Sequence, residues 1–420
     1  MEEYKLSDIA EVRTGPFGSQ LHNEDYVSTG TPIVTVEHLG NRRFSKQNLP
    51  LVSDDDKKRL SKYLLQEGDI VFSRVGSVDR CSYVTSAEND WLFSGRCLRV
   101  RCGNNCHPLF LYYYFCKESV KQYIKSIAVG ATMPSINTKL MAEIPILLPK
   151  LEEQRCIADI LSSFDDKIEL NRRINDNLEQ QAQALFKAWF VDFEPFRDGE
   201  FVNSVLGSTP KELPITYIEN IPHNIESGKR PKGGATLIGV PSIGAENIKG
   251  LGYYDYSKTK YIPEEYAQTI KKGKINGYEL LIYKDGGKPG YFIPNFTIFG
   301  EGFPFNEMYI NEHVFLLDLM DCGYNVFAYF YMQTPYIMNQ LNSIGGKAAI
   351  PGINTKDVEC LPIYSNESPY VKKFGEIVLP FIKTILSNSL ENAKLAKVRD
   401  SLLPKLMSGE LKINEIETEK

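Results

Sequence analysis

The chain carries a seven-residue hydrophobic rhythm in two stretches 217 residues apart, and both stretches place asparagines in the same two layers. In the first, Ile157, Phe164, Asn171, Leu178 and Leu185 fall at heptad position a, with Leu161, Ile168, Asn175, Ala182 and Trp189 at d. In the second, Phe374, Phe381, Asn388, Leu395 and Leu402 fall at a, with Val378, Ile385, Asn392, Arg399 and Leu406 at d. A strict seven-residue period predicts helices that pack along one seam. Side-chain volume sets their direction. An antiparallel pairing puts Asn171 against Asn392 and Asn175 against Asn388, and lets Ala182 make room for Phe381. A parallel pairing puts Phe164 on Phe381 and Ala182 on Arg399, which fills space worse. Buried asparagines cost stability but penalise every register that fails to pair them. We therefore read Asn171, Asn175, Asn388 and Asn392 as an alignment device.

The helices end a duplication that runs through the whole chain. Pro134-Ser135-Ile136-Asn137-Thr138-Lys139 returns as Pro351-Gly352-Ile353-Asn354-Thr355-Lys356, and Ile144-Pro145-Ile146 returns as Leu361-Pro362-Ile363. Leu6 to Gly15 runs beside Ile218 to Gly228, Pro32 and Glu37 recur as Pro241 and Glu246, and Gly68–Phe72 recurs loosely as Tyr278–Ile282. Short apolar runs bounded by Gly, Pro and Asn predict strands and turns. The aromatic strips 111–115 and 327–331 fit a half-buried helix and read as core rather than as base-stacking platforms. The class expected is α+β: two mixed, strand-rich domains, residues 1–150 and 197–367, separated by long helices over 151–196 and 368–411 that form an antiparallel coiled coil. The whole is an internal repeat with pseudo-twofold character, followed by a tail over 412–420. Pro369 suits a helix start after Ser368, and Pro149 closes a strand before Leu151 opens the first helix. Pro380 is expected to kink the second helix, and Pro404 to end or bend it near Leu403.

Composition narrows the function. With 420 residues, 42% hydrophobic and 24% charged, the chain is ordinary globular protein of roughly two or three domains. No apolar run approaches the roughly 20 residues of a membrane helix, and Met1-Glu2-Glu3-Tyr4-Lys5 lacks the pattern of a signal peptide, so a cytoplasmic location is expected. Eight cysteines show no disulfide rhythm. Cys97, Cys102, Cys106 and His107 crowd together but lack paired Cys-x-x-Cys knuckles, so no metal is expected. A net charge of -5 argues against non-specific coating of nucleic acid. Residues 151 to 195 hold five Lys and Arg against ten Asp and Glu, which is either a solvated helical face or a surface for a basic partner.

Two runs on the helices carry a family resemblance. Glu152-Glu153-Gln154-Arg155, followed by Ala184-Leu185-Phe186-Lys187-Ala188-Trp189-Phe190-Val191-Asp192-Phe193-Glu194-Pro195-Phe196, is similar to the central region of type I restriction-modification specificity subunits. Arg399-Asp400-Ser401-Leu402-Leu403-Pro404-Lys405-Leu406-Met407-Ser408-Gly409-Glu410 resembles that family's closing helix. The resemblance implies a non-catalytic subunit with two target recognition domains, each reading one half of a split double-stranded DNA site. It implies two modification subunits that methylate adenine with S-adenosylmethionine, and restriction subunits that cleave DNA and use ATP. The chain itself would hold no cofactor. Independently, 33 heptad residues at about 1.5 Å each would hold two domains roughly 50 Å apart, somewhat more than the ~34–36 Å of one DNA turn.

The sequence lacks a Gly-x-x-x-x-Gly-Lys-Ser/Thr phosphate loop and the Asn-Pro-Pro-Tyr or Asp-Pro-Pro-Tyr signature of an adenine methyltransferase. Glu279 and Lys284 look like fragments of a nuclease site, but the other copy has Asp69 and Arg74, so a structural role is expected. The alternatives to a specificity subunit are a self-contained DNA modification enzyme and a coiled-coil adaptor without DNA contact. Base reading uses polar and cationic side chains on loops. The candidates are Thr14, Gln20, Arg42, Arg43, Arg74, Arg80 and Thr132 in the first domain. In the second they are Lys229, Arg230, Lys232, Lys284, Lys288 and Lys347, beside glycines that let a backbone approach phosphate.

Overall fold

A computed structural model describes residues 1–17, 20–286, 290, 292–346 and 351–411. The chain divides into two compact units. The first joins Met1–Asp166 to the segment that begins at Ala396, and the second is Lys167–Leu395. Both long helices are unbroken, Leu151–Phe190 and Pro369–Ser408, and each contributes one part to each unit.

In the first unit a four-stranded antiparallel sheet runs Ala10–Thr14, Cys97–Cys102, Ile70–Ser73, Cys81–Tyr83. The aromatic helix Pro108–Cys116 supplies Phe110 to Phe115 to its core, every one of them buried. A smaller sheet of Tyr26–Val27, Leu51–Val52, Thr31–Val34 and Leu92–Phe93 covers a separate apolar cluster. The second unit repeats the main sheet as Asn224–Ser227, Val314–Asp318, Leu280–Tyr283, Phe296–Ile298, again antiparallel. Its aromatic helix, Cys322–Met332, buries every residue from Tyr324 to Met332. The aromatic strips are core, with rings packed edge to face, as between Phe72 and Phe115 or Phe327 and Phe374.

The strand that leads into each long helix is pinned the same way in both units. Glu2–Lys5 pairs with Pro145–Leu148, and Ile215–Tyr217 pairs with Pro362–Tyr364. The Ile-Asn-Thr anchors are helix starts: the Asn137 side chain accepts the Leu140 amide, and that of Asn354 accepts the Asp357 amide. Duplicated sequence thus marks places where backbone donors need the same partner twice.

Within each unit the helical segments run antiparallel. In the second unit Phe186 and Trp189 meet Phe374 and Tyr370. In the first, Ile157 and Leu161 share a core with Leu403, Leu406 and Met407. A second apolar stripe, one residue after each seam position, faces the globular part of each unit: Ala158, Leu403 and Met407 in the first, Phe186, Phe190, Ile382 and Leu386 in the second. That burial explains why the second helix runs through Pro380 and Pro404 and is not ended near Leu403. Buried Leu403, Leu406 and Met407 outweigh one missing backbone hydrogen bond. The helix stops instead at Gly409, whose φ of 73° suits a residue without a Cβ.

Candidate nucleic-acid interface

One backbone junction is built in both units. It lies at the end of the central strand of each main sheet, at Arg74 in the first unit and Lys284 in the second. The Arg74 amide donates to the Arg96 carbonyl at 2.8 Å, and the Arg74 carbonyl accepts from Ile136 at 2.9 Å. The Lys284 amide donates to the His313 carbonyl at 3.1 Å, and the Lys284 carbonyl accepts from Ile353 at 2.8 Å. Two residues on, Gly76 donates to the Pro134 carbonyl and Gly286 to the Pro351 carbonyl, at 2.8 and 2.9 Å. Gly15 and Gly228 close the junction, because a Cβ on either would lie 2.2 or 2.0 Å from the carbonyl oxygen of Ser94 or Ile310.

Loops therefore leave the same place in each unit. In the first unit they follow Gly15, Gly76 and Val129, the last returning at Ser135 through paired hydrogen bonds of 2.9 and 2.8 Å. In the second a loop follows Gly228, and Gly286 and Gly345 are held at the same frame by hydrogen bonds with Pro351 and Gly352. The junction collects many of the sequence candidates. Thr14 ends the strand entering it, with its buried hydroxyl unpartnered among the described residues. Arg74 lies over the Phe17 ring at 4.7 Å and donates to the Gly95 carbonyl at 3.1 Å. Arg80 and Thr132 are exposed on neighbouring loops. Lys229, Arg230 and Lys232 are exposed on the loop after Gly228, with Arg230 3.6 Å from Glu312. Lys284 donates to the Ser227 hydroxyl at 2.8 Å and covers the Phe315 ring. Lys288 and Lys347 lie outside the described residues.

Some candidates are committed elsewhere. The Gln20 amide oxygen accepts from the Tyr63 hydroxyl at 2.7 Å, so this side chain braces its own loop. The Arg42 side chain is only 12% exposed and pairs with Asp166 at 2.9 Å on the first long helix, so it fastens the domain to that helix. Arg43 is half-buried beside it, its carbonyl accepting from Ser82. Sequence reasoning passed over Arg96, which is exposed, follows Gly95 and forms no ion pair among the described residues. The signal was the same glycine-cation pairing used for the second unit. Arg80, Arg96, Lys229 and Lys232 are thus cations at the junctions that no carboxylate among the described residues neutralises. Such groups suit phosphate contact.

The suspected nuclease fragments are turn devices. Asp69 accepts from the Gln66 amide and from Arg101, and Glu279 accepts from the amides of Asn276 and Gly277. Cys102 and Cys106 lie 3.6 Å apart, Cys97 is buried, and among the described residues no group of His, Cys, Asp and Glu is arranged to hold a metal.

On the helices, Asn171 donates to the Asn392 side chain at 3.0 Å and Asn388 donates to Asn175 at 2.8 Å. Asn171 also donates to Glu391 at 2.7 Å, and this bond with nearby Lys167 holds the Glu391 carboxyl below its ordinary range. The first unit adds an ionic cluster at its helical base. Asp165 accepts from Tyr113 at 2.6 Å and pairs with Arg399. Burial alone would lower the Arg399 guanidinium, but Asp165 and Asp400 outweigh it and hold it above its usual value.

The architecture of repeated strand-rich domains joined to long helices is that of a solved restriction-modification S subunit from M. genitalium. The two align with a TM-score of 0.60 over 96% of this chain and 95% of that one, at 17% identity. Residues 1–180 match the family described as type I restriction modification DNA specificity domain. The MjaIX specificity subunit of Methanocaldococcus jannaschii is 27% identical, covering 98% of this chain and 94% of its own. The HindI specificity subunit of Haemophilus influenzae is 26% identical, covering 98% and 99%. Over nearly its whole length the chain is thus similar to type I restriction-modification specificity subunits, and its first 180 residues match their DNA specificity domain.

Proposed function

We propose that this non-catalytic chain chooses the DNA sequence on which a type I restriction-modification complex acts, one unit reading each half of a bipartite site. The observation that carries the reading is the junction built twice, with a cation at Arg74 and Lys284 and loops of unrelated sequence leaving the same hydrogen-bonded frame. A shared frame with divergent loops is what reading two different half-sites requires.

The helices support a reading of the finer partners. Leu170 and Ile174 are one turn apart and exposed on the acidic first helix, a surface suited to a partner protein with apolar and basic groups. We assign it to modification subunits, two per complex, which bind S-adenosylmethionine and methylate adenine; restriction subunits that use ATP join them. The chain works where the cell's DNA is, in the cytoplasm, and no helix among the described residues is long and apolar enough to cross a membrane.

The test is selection from randomised DNA duplexes by the purified chain, alone and with modification subunits. Two specified blocks separated by unspecified bases are expected, with no methylation or cleavage by the chain alone. Methylation by the chain alone would replace the reading with a self-contained modification enzyme. Loss of all duplex selection would leave a coiled-coil adaptor.

A further inference from the structure

Leu237 and Ile238 are 92% and 82% exposed, side by side at the tip of the loop that leaves Gly228. The turn that carries them is held firmly. Thr236 and Tyr261 exchange backbone hydrogen bonds of 2.8 and 3.3 Å, and the Thr236 hydroxyl donates to the Ile238 carbonyl at 2.8 Å. Gly239, at φ 129°, has no room for a side chain, because a Cβ would lie 2.2 Å from the Ile262 carbonyl oxygen. Two bulky aliphatic side chains are therefore presented to solvent by a turn that cannot fold them away. The same loop carries Lys229, Arg230 and Lys232 and no carboxylate between Gly228 and Gly239. Charge selects a polyanion as the occupant, and the apolar tip selects the part of that polyanion it touches. The major groove of DNA offers one apolar group, the C5-methyl of thymine.

We propose that Leu237 and Ile238 form an apolar reading tip that seats against thymine methyl groups in the half-site of the second unit, while Lys229, Arg230 and Lys232 hold the flanking phosphates. The proposal rests on the function argued above. The first unit carries exposed Phe17, Val129 and Met133 on its own junction loops, so an apolar tip among cations is common to both units.

The experiment compares the full chain with a Leu237→Ser, Ile238→Ser variant in selection from randomised duplexes. The selected duplex is then remade with deoxyuridine in place of each thymidine. Expected are loss of base preference in one block only, an unchanged melting midpoint, and binding by the unaltered chain weakened roughly fourfold per lost methyl. Deoxyuridine should not further weaken the variant, and Leu237→Ile with Ile238→Leu should keep the preference. An unchanged motif in the serine variant overturns the proposal while leaving the function intact. So does base unstacking, seen with 2-aminopurine, without any deoxyuridine effect, and so does a variant that alters only self-association. If the unaltered chain selects no motif, the function and the tip fall together.

Discussion

Asn171 donates to Asn392 across the helix seam at 3.0 Å while its own buried carbonyl oxygen accepts from no group among the described residues. One buried acceptor left unmatched costs on the order of 1–3 kcal/mol, so this layer does not make the helix pair as stable as it could be. We propose that its value lies in discriminating registers. Asn171→Leu with Asn392→Leu should raise the melting midpoint by a few degrees and permit a heptad slip. Cysteine pairs report the slip. Leu178→Cys with Ile385→Cys should cross-link in both backgrounds, and Leu178→Cys with Val378→Cys only in the leucine background. A lowered midpoint would mean that the asparagines stabilise the seam outright.

Arg99 is 1% exposed and pairs with Glu11 at 2.8 Å. Burial depresses the Arg99 guanidinium and would raise the Glu11 carboxyl, but Arg99 and Arg13 outweigh that and hold Glu11 below its ordinary 4.5. A lowered carboxyl adds stability in full above its unfolded value and loses it as pH falls through the lower folded value. Glu11→Gln should cost roughly 1–2 kcal/mol at neutral pH, less than a fully buried pair because Glu11 is half exposed. Denaturant titrations should show the two chains converging as pH falls below 4.5. A constant gap at all pH values would remove the ion pair as its cause.

The caps at Asn137 and Asn354 serve equivalent helices in different units. Each Asn→Ala change should cost about 1 kcal/mol, and because the sites share no partner the double variant should be additive within about 0.5 kcal/mol. Chemical denaturation of the three variants checks this.

Arg80 and Arg42 separate the proposed DNA contact from construction of the domain. Arg80→Ala should weaken duplex binding evenly across sequences and reduce the slope of log affinity against log salt by about 1. Arg42→Ala should leave that slope unchanged and lower the melting midpoint, since it removes the Asp166 pairing. Fluorescence anisotropy over a salt series, with thermal melts alongside, distinguishes them.

The seam was legible because a and d positions obey a period, and the pairing of Asn171 with Asn392 follows from volume alone. The stripe of Phe186, Phe190, Ile382 and Leu386 was hidden, because it repeats less strictly and serves a globular partner that no heptad describes. The continuity of the second helix past Pro404 was misjudged for the same reason: local propensity was visible, whereas the burial that overrides it came from the distant residues of another domain. Arg42 looked like a free loop cation, since nothing in its neighbours signals Asp166. The loops at the junctions were visible through their glycines. Arg96 escaped because it sits in the turn just before the strand Cys97–Cys102 and so resembles framework.

The N-terminal unit takes Leu403, Leu406 and Met407 into its own core, beside Ile157 and Leu161. Ribosomal order therefore runs against structural order: residues 1–166 are translated before the second unit, yet part of their core is translated only after it. A nonsense mutation just before Leu403 would damage the unit translated earlier, although the codons for residues 1–166 are intact.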